Sequence, residues 1–193
     1  AATLKAHGYK TIFVGGSGHF RKGLRGFARG FDEFYEKVSA PAMEITLKAS
    51  EFLKKNASSP FFLWVHYMDV HEYKPEKRFE NAFLNDPLYD KQKKLPIVKP
   101  SPGPYGHNGI PGWLAKKNGG IDNPDYYVAR YDEAILSVDE QVVVLLRKLK
   151  KTSGGRNTLV ILTADHGHML GEHGYYFDHG RFLYEPLIKV PFI

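Results

Sequence analysis

An aspartate and a histidine stand side by side after an apolar run and carry the strongest chemical signal in the chain. Residues 159–162 are apolar and rich in β-branched side chains, and Asp165 and His166 follow within four residues. Such a run predicts a strand buried on both faces of a parallel sheet, and ligands collect beyond the carboxyl ends of these strands. A carboxylate oxygen and an imidazole nitrogen together suit a divalent metal ion. We therefore expect Asp165 and His166 to bind one.

Loops at other strand ends carry the remaining candidate side chains. A glycine-rich turn follows a short strand predicted at residues 11–14, and a histidine-bearing loop follows a longer strand predicted at residues 61–67. Parallel strands bring their carboxyl ends to one edge of a sheet. We expect one pocket there, lined by His19, His71, Asp165, His166, His179 and Arg181. Histidines suit proton transfer and oxyanion contacts, a metal ion acts as a Lewis acid, and an arginine attracts an anionic group.

The composition limits the classes of protein to consider. The chain has 193 residues, 42% of them hydrophobic, a net charge of +6 and no cysteine. It can bury a core, and it holds no disulfide and no cysteine nucleophile within these residues. The basic excess would attract an anionic substrate or serve solubility, and no nucleic-acid-binding signature accompanies it. No signal peptide and no apolar run near the ~20 residues of a membrane span is seen, which leaves compartment and oligomeric state open.

The order of predicted elements indicates the fold class. A helix is predicted at about residues 41–55 with Ser39 as its N-cap, and a longer one at 124–150, where Asn123 and Pro124 give a strong start signal. Residues 30–35 read as an aromatic surface loop. Strand, helix, strand, helix, strand then predicts an α/β layered sandwich, in which helices flank a mostly parallel central sheet.

A long irregular region interrupts this order. We expect a proline- and lysine-rich insertion at about residues 72–123 within one partial catalytic domain that spans residues 1–193. Ordered loops of this length are usually functional rims or lids. Its aromatic and basic residues allow a substrate-selecting role, and those singled out are Tyr105, His107 and Trp113.

Several segments resemble the sulfatase family of the alkaline phosphatase superfamily. The most specific is TADHGHMLGEHGYYFDHGRFLYEPLIKVPFI, and FFLWVHYMDVHEYKP and YDEAILSVDEQVVVLLRKL support it. The resemblance implies an alkaline-phosphatase-like fold and metal-dependent hydrolysis of sulfate esters on a sulfated small molecule or glycan. By position, Asp165 and His166 would bind the metal, usually calcium in sulfatases, with manganese or zinc as alternatives.

The resemblance also implies roles for the other candidates. His71 would contact the transferred group or its leaving oxygen, and His179 falls near the family's sulfate-binding lysine or histidine. His19 matches the histidine of a G-K-x-H turn whose lysine is replaced here. Apart from the resemblance, we expect Arg181 to bind substrate because its positive charge attracts an anionic group.

The family's nucleophile is not found in this chain. Sulfatases use a formylglycine made from the first residue of a C/S-x-P-x-R motif, which residues 1–193 lack. We therefore expect a fragment that lacks the N-terminal part, with the formylglycine outside it, and expect the fragment by itself to be inactive. Two alternatives stay open: a phosphodiesterase or phosphonate monoester hydrolase of the same superfamily, and a non-catalytic anion-binding module.

Overall fold

The computed structural model describes residues 1–20, 23, 26–56, 58–98, 108–152 and 157–193. The helices and strands, in chain order, are α1 (Ala2–Ala6), β1 (Lys10–Gly15), β2 (Glu33–Glu36), α2 (Ala42–Asn56), β3 (Phe61–His66), β4 (Ile97–Val98), β5 (Ile110–Pro111), α3 (Gly112–Lys117), α4 (Pro124–Lys150), β6 (Met169–Leu170), β7 (Tyr176–Asp178) and α5 (Glu185–Ile188). They divide into two units, Ala1–Ala82 with Arg130–Thr158 and Phe83–Ala129 with Leu159–Ile193.

The first unit is built on a parallel sheet in the order β2-β1-β3. The central strand β1 is buried on both faces, and Ile12, Phe13 and Val14 are fully enclosed. On one face, Ile12 and Val14 pack with Ile45 and Ala49 of α2. On the other face, Phe13 lies at the centre of an aromatic cluster. An apolar strand with helices and aromatic side chains around it is the α/β arrangement that the sequence predicted, so the fold class is confirmed.

The two long helices form where the sequence places them, but one cap differs. At the start of α4, the Asn123 side-chain oxygen accepts the backbone N–H of Tyr126 at 3.1 Å, as predicted. At the start of α2, the backbone N–H of Ala42 is bound by a carboxylate oxygen of Asp69 at 3.0 Å. The Ser39 hydroxyl instead donates to Glu72. The predicted Ser39 cap is therefore wrong, because a carboxylate from a distant loop occupies that position.

Two strand predictions are also wrong. Residues 30–35 were expected to be a loop, yet Glu33–Glu36 is the parallel edge strand β2, paired with β1. Residues 159–162 were expected to be a buried strand, yet Leu159 and Ile161 are 84% and 58% exposed. The backbone of Leu162 bonds only to that of Ile193 among the described backbone pairs. An apolar segment becomes a buried strand only when adjacent strands bond to its backbone and other elements pack against both of its faces.

The second unit contains small sheets. Strands β4 and β5 pair in parallel, β6 and β7 pair antiparallel, and β5 contacts β7. Helix α3 packs against β4 and β5. Of the insertion predicted at residues 72–123, the expected substrate-selecting Tyr105 and His107 lie outside the described residues. Within the described residues, no helix joins the length and the apolar composition that crossing a membrane would need.

Candidate active site

The loop around Asp165 and His166, residues 163–180, is called the DHG loop below and lies in the second unit. It contains the antiparallel pair β6–β7. The Phe177 ring is 2% exposed and lies 5.3 Å from the Tyr127 ring between centroids. This apolar contact fixes the hairpin, while the polar residues on either side stay near the surface.

A glycine brings the start of the DHG loop against α5. The N–H of Gly167 donates to the carbonyl of Leu187 at 2.8 Å. A Cβ added to Gly167 would lie 1.9 Å from the carbonyl oxygen of Pro186. Real side chains do not tolerate such a distance, so only glycine allows this backbone approach. The approach sets the position of the residues on either side, His166 and His168.

Asp165 and His166 form a pair in which both side chains reach the same space. The Asp165 side chain is 67% exposed, and one of its oxygens lies 3.9 Å from Nε2 of His166. Its other oxygen accepts the backbone N–H of His166 at 3.2 Å. A carboxylate oxygen and an imidazole nitrogen are thus presented side by side at the surface.

The backbone fixes which nitrogen of His166 carries the proton. Nδ1 lies 2.8 Å from the carbonyl oxygen of Gly167. A carbonyl can only accept, so Nδ1 donates and Nε2 carries the lone pair in the neutral ring. Metal-binding histidines commonly donate their second ring N–H in this way. The Nε2 atom next to Asp165 is therefore the one suited to a cation.

Three histidine rings of the DHG loop stack on one another. The ring of His166 lies 4.2 Å from that of His179 and 5.6 Å from that of His168, between centroids. The rings of His168 and His179 are 5.0 Å apart. His168 is only 8% exposed. Residues 13 positions apart in the sequence are thereby brought together, because β6 and β7 form a hairpin between them.

His179 and Arg181 are positioned by Asp178 at the end of β7. One Asp178 oxygen accepts the backbone N–H of His179 at 2.8 Å, and the other lies 3.6 Å from Nε of Arg181. The Arg181 side chain is 28% exposed. The arginine therefore lies near His179 while part of its charge is balanced by Asp178.

The loop that carries His71, residues 67–74, is called the β3 loop below and lies in the first unit. Its turns are closed by backbone bonds, including Lys74 N–H to the Asp69 carbonyl at 3.0 Å. The Asp69 side chain is 4% exposed and binds the start of α2. This burial raises the pKa of the Asp69 carboxyl above its usual value. His71 is half-buried on this anchored loop.

His19 follows β1 in a short 3₁₀ turn, Gly18–Phe20, and is exposed. Its backbone N–H is bound by the Ser17 hydroxyl at 3.2 Å. The carboxyl ends of β1 and β3 pair in register, Gly15 with His66. His19 and His71 therefore leave the sheet from the same edge, as predicted for loops that follow parallel strands.

The structure brings together four of the six candidates predicted from sequence, all within the second unit: Asp165, His166, His179 and Arg181. His19 and His71 belong to the first unit, and the single pocket for all six stays a prediction. No role was predicted for His168 from the sequence, although its ring stacks on those of His166 and His179. The alternation of His166 and His168 about one glycine was the available signal.

The donor set of the DHG loop fits a divalent cation. Asp165 offers a carboxylate oxygen, and His166 offers Nε2, which carries the lone pair because Nδ1 donates its proton to the Gly167 carbonyl. The ring nitrogens of His168 and His179 that could ligate lie within 4.8 Å of each other. Oxygen donors suit calcium and magnesium, whereas imidazole suits zinc and other transition metals.

Comparison with the sequence patterns of known protein families shows to which family the chain belongs. The pattern of the sulfatase family matches residues 1–193, which is the whole chain. The chain belongs to the sulfatase family. Family membership implies the alkaline-phosphatase-like fold, with which the parallel sheet and flanking helices of the first unit agree.

Curated relatives of this sulfatase-family chain are themselves named sulfatases. An N-acetylglucosamine-6-O-sulfatase of Bacteroides thetaiotaomicron is 42% identical over 67 residues, which is 35% of this chain and 12% of the relative. A Δ4,5-hexuronate-2-O-sulfatase of the same organism is 36% identical over 72 residues, or 37% of this chain and 15% of the relative. A sulfatase of Formosa agariphila is 26% identical over 145 residues, or 73% of this chain and 28% of the relative. The chain thus spans less than a third of the length of each.

Proposed function

We propose that the protein containing this chain hydrolyses sulfate esters, and that the DHG loop binds the metal ion and the sulfate group. The observation that carries the proposal is the arrangement of Asp165 and His166, with the Nδ1 proton of His166 held by the Gly167 carbonyl. The stacking of His179 on His166 adds a second imidazole beside this pair. Family membership supports the reaction class.

Asp165 and His166 would hold one divalent ion, which as a Lewis acid would polarise an oxygen of the sulfate ester. Calcium is the ion that resemblance to sulfatases favours. The nitrogen donor of His166 favours manganese or zinc, so the metal preference is part of the test.

The other side chains would act on the substrate directly. His179 and Arg181 would donate hydrogen bonds to sulfate oxygens, with Asp178 orienting both residues. His19 would contribute a further contact to the anion. His71, on its anchored loop, would donate a proton to the leaving oxygen, so that an alcohol departs rather than an alkoxide. The nucleophile, a formylglycine in this proposal, would come from outside residues 1–193.

A sulfated glycan is the substrate class we propose. Two of the relatives are named for sulfate groups on sugars, one on N-acetylglucosamine and one on a hexuronate. A sulfate group and a sugar hydroxyl leaving group match the charge and proton donors proposed above. A sulfated small molecule would use the same contacts to the ester.

The test uses the complete natural protein and two site variants. Asp165→Asn and His166→Ala should each lower kcat/KM for a sulfate ester at least ~100-fold, because several kcal/mol of charge stabilisation depend on the ion. The rise in melting temperature on adding calcium, manganese or zinc should shrink in both variants. His7→Ala, an exposed histidine of α1's C-terminal end, serves as the matched control. Unchanged turnover in both site variants would contradict the proposal, and residues 1–193 alone should show negligible turnover.

A second function is favoured by one observation. Imidazole donors next to a carboxylate suit manganese or zinc, the ions we associate with phosphodiesterase or phosphonate monoester hydrolase activity in the same superfamily. Competing sulfate and phosphonate or phosphodiester substrates separate the two functions by kcat/KM. If the complete protein turns over none of them while still binding sulfate, it is the non-catalytic anion-binding module instead.

A further inference from the structure

We propose that Tyr73 is a positioning residue, whose backbone and ring together fix the place of His71. Tyr73 follows His71 by two positions on the β3 loop, and it is 3% exposed. The inference rests on the proposed function, in which His71 donates a proton to the leaving oxygen. It adds the residue that keeps this proton donor in place.

The β3 loop makes a tight turn that encloses His71. The N–H of Lys74 donates to the Asp69 carbonyl at 3.0 Å. Inside this bond, the N–H of Tyr73 donates to the Val70 carbonyl at 3.2 Å. Two nested bonds of this kind form the Schellman motif with which many helices end. Because His71 lies between the donor and the acceptor of both bonds, its backbone is held by the turn.

The Schellman motif needs a left-handed residue at the position that Tyr73 occupies. The backbone of Tyr73 has φ of +53°. Glycine is the usual residue there because it has no Cβ, and a bulky side chain with this backbone is an outlier. Such a residue persists only where its surroundings hold it, and residues of this kind cluster at functional sites. A tyrosine at a glycine position therefore indicates that its side chain has a role.

The ring of Tyr73 anchors the turn to α4. Its centroid lies 5.6 Å from that of the Tyr131 ring, with 50° between the ring planes. Both residues belong to the first unit. Aromatic rings at this separation attract each other, and the burial of the Tyr73 ring adds hydrophobic stabilisation. A glycine would allow the same turn but would leave it without this contact to α4.

The opposite side of the turn is anchored to α2 by other side chains. Asp69 accepts the N–H of Ala42 at 3.0 Å, and Glu72 accepts the hydroxyl of Ser39. The turn is thus held towards α2 by carboxylates and towards α4 by a ring. Asp69 also caps a helix, so its substitution disturbs more than the turn. The Tyr73 ring is therefore the anchor through which the position of His71 can be changed with the least effect elsewhere.

The precision of this turn matters for one step of the proposed reaction. Proton donation to a leaving group contributes about 10²–10⁴-fold to a rate, and a displacement of about 1 Å can cost ~100-fold. A sugar oxygen leaves as a strongly basic alkoxide unless it is protonated, whereas 4-nitrophenolate leaves readily without a proton. Loss of the Tyr73 anchor should therefore slow the sugar ester and spare the aryl ester.

The experiment uses the complete protein with N-acetylglucosamine 6-sulfate and 4-nitrophenyl sulfate. Tyr73→Gly should lower kcat for the sugar ester about tenfold with KM unchanged, and kcat for the aryl ester should stay within about twofold. Tyr73→Phe keeps the ring and should restore kcat for the sugar ester. If the protein hydrolyses aryl esters alone, phenyl sulfate replaces the sugar ester because its leaving oxygen is the more basic. Equal losses on the two esters, or no loss on either, would overturn the inference.

The matched control is Asn81→Gly, in the same unit but outside the β3 loop. Asn81 is also left-handed, with φ of +69°, and its side-chain oxygen accepts a hydrogen bond from Arg130 at 2.6 Å. This variant removes a side-chain contact to α4, as Tyr73→Gly does, but it leaves the turn around His71 intact. It should leave kcat unchanged for both esters.

Two further variants show whether Tyr73 acts through His71. Tyr131→Leu removes the partner ring from the α4 side and should give the same difference between the two esters. In a His71→Ala background, Tyr73→Gly should lower kcat no further, since the proton donor that it positions is already absent. A second loss of the same size would mean that Tyr73 acts elsewhere, and the inference would be wrong.

Amide hydrogen exchange separates this inference from the proposed function. In Tyr73→Gly, the amides of residues 73 and 74 should exchange about tenfold faster, because the turn opens more often. In Asn81→Gly, their exchange should not change. If the natural protein hydrolyses neither ester while exchange rises as expected, the proposed function is rejected and the positioning of His71 by Tyr73 is kept. Unchanged exchange in Tyr73→Gly would reject the positioning role, whatever the rates of hydrolysis.

Discussion

The β3 loop and the DHG loop both carry proposed site residues, but different forces hold them. The β3 loop leaves a buried parallel sheet, and Asp69 ties it to the first turn of α2. The DHG loop contains the two short strands β6 and β7. Its position depends on the close backbone approach at Gly167 and on the stacked histidine rings. Regular structure anchors the β3 loop, whereas local contacts anchor the DHG loop, among them the ring contact of Phe177 with Tyr127 and the pairing of Thr163 with Phe192.

This difference predicts where the site is most easily damaged. A methyl group at Gly167 would overlap the Pro186 carbonyl where the DHG loop meets α5, whereas several backbone hydrogen bonds and the Asp69 side chain hold the β3 loop. Substitutions of similar size should therefore affect ion binding strongly in the DHG loop and global stability in the β3 loop. Three changes test this, from the largest expected effect to the smallest.

Gly167→Ala should have the largest effect. The new Cβ would overlap the Pro186 carbonyl, and overpacking of this kind costs about 3 kcal/mol. If that cost falls on the ion-binding arrangement, affinity for the metal should fall about 100-fold, measured by calorimetric titration. Gly174→Ala is the control in the same loop: its backbone has φ of +75° but open space around the Cβ, so the cost should be about 1 kcal/mol with ion affinity kept. Equal losses in both variants would refute the role of the close approach.

Asp69→Ala tests the anchor of the β3 loop. Loss of the cap on Ala42 should lower the free energy of unfolding by about 1–2 kcal/mol and reduce kcat, with metal affinity unchanged. Asp69→Asn keeps an oxygen for the same bond and should restore both. Metal affinity that falls with kcat would mean that the two loops are not held independently.

The pH dependence of the Asp69 variants follows from the direction of its pKa. Burial raises the pKa of Asp69 in the folded protein above its ordinary value of 3.8. Protonated Asp69 therefore stabilises the folded state at pH values below 3.8, and this stabilisation is lost as the pH rises through the raised pKa. Asp69→Asn should therefore gain stability relative to the natural protein as pH rises above about 4. Denaturant unfolding at several pH values measures this difference. If Asp69→Asn instead gained stability relative to the natural protein as the pH falls, the predicted direction would be wrong.

Asp32→Asn should have the smallest effect. The Asp32 carboxylate pairs with Lys5 at 2.7 Å and accepts the Thr11 N–H and hydroxyl, which hold its pKa well below the usual value. We expect a loss of about 1 kcal/mol near neutral pH. Because the pKa of Asp32 is lowered on folding, its carboxylate stabilises the folded protein above the pKa of the unfolded state, and this contribution is lost as the pH falls. The difference in unfolding free energy between the natural protein and Asp32→Asn should therefore shrink below about pH 4. Any change in metal affinity would show that the sheet also controls the DHG loop.

The sequence predicts best what neighbouring residues decide. The start of α4 needs only Asn123 and Pro124, and the spacing of apolar residues gives α2 and the strand β3. The Ser39 cap fails because Asp69, remote in sequence, takes that position. The strand β2 was missed because its pairing partner β1, and not its own composition, makes it a strand.

The candidate site shows the same division. Asp165 and His166 are adjacent, so a local motif was enough to single them out, and their role in metal binding stays a prediction. The polar loops that follow β1 and β3 lie where the sequence predicted them. The stacking of His168 depends on the hairpin that returns His179 to it, which a sequence motif does not reveal. The apolar run at residues 159–162 was expected to be buried because composition shows that side chains are hydrophobic, but not whether other elements pack against them.

That exposed run has a consequence for handling the chain. Leu159 and Ile161 lie on the surface, as do Phe192 and Ile193, which are 81% and 80% exposed. Antiparallel pairing of Thr163 with Phe192 leaves a hydrophobic edge of the kind that templates aggregation. Residues 1–193 expressed alone should therefore self-associate and precipitate at high concentration, and a charged gatekeeper such as Ile161→Lys should keep them in solution.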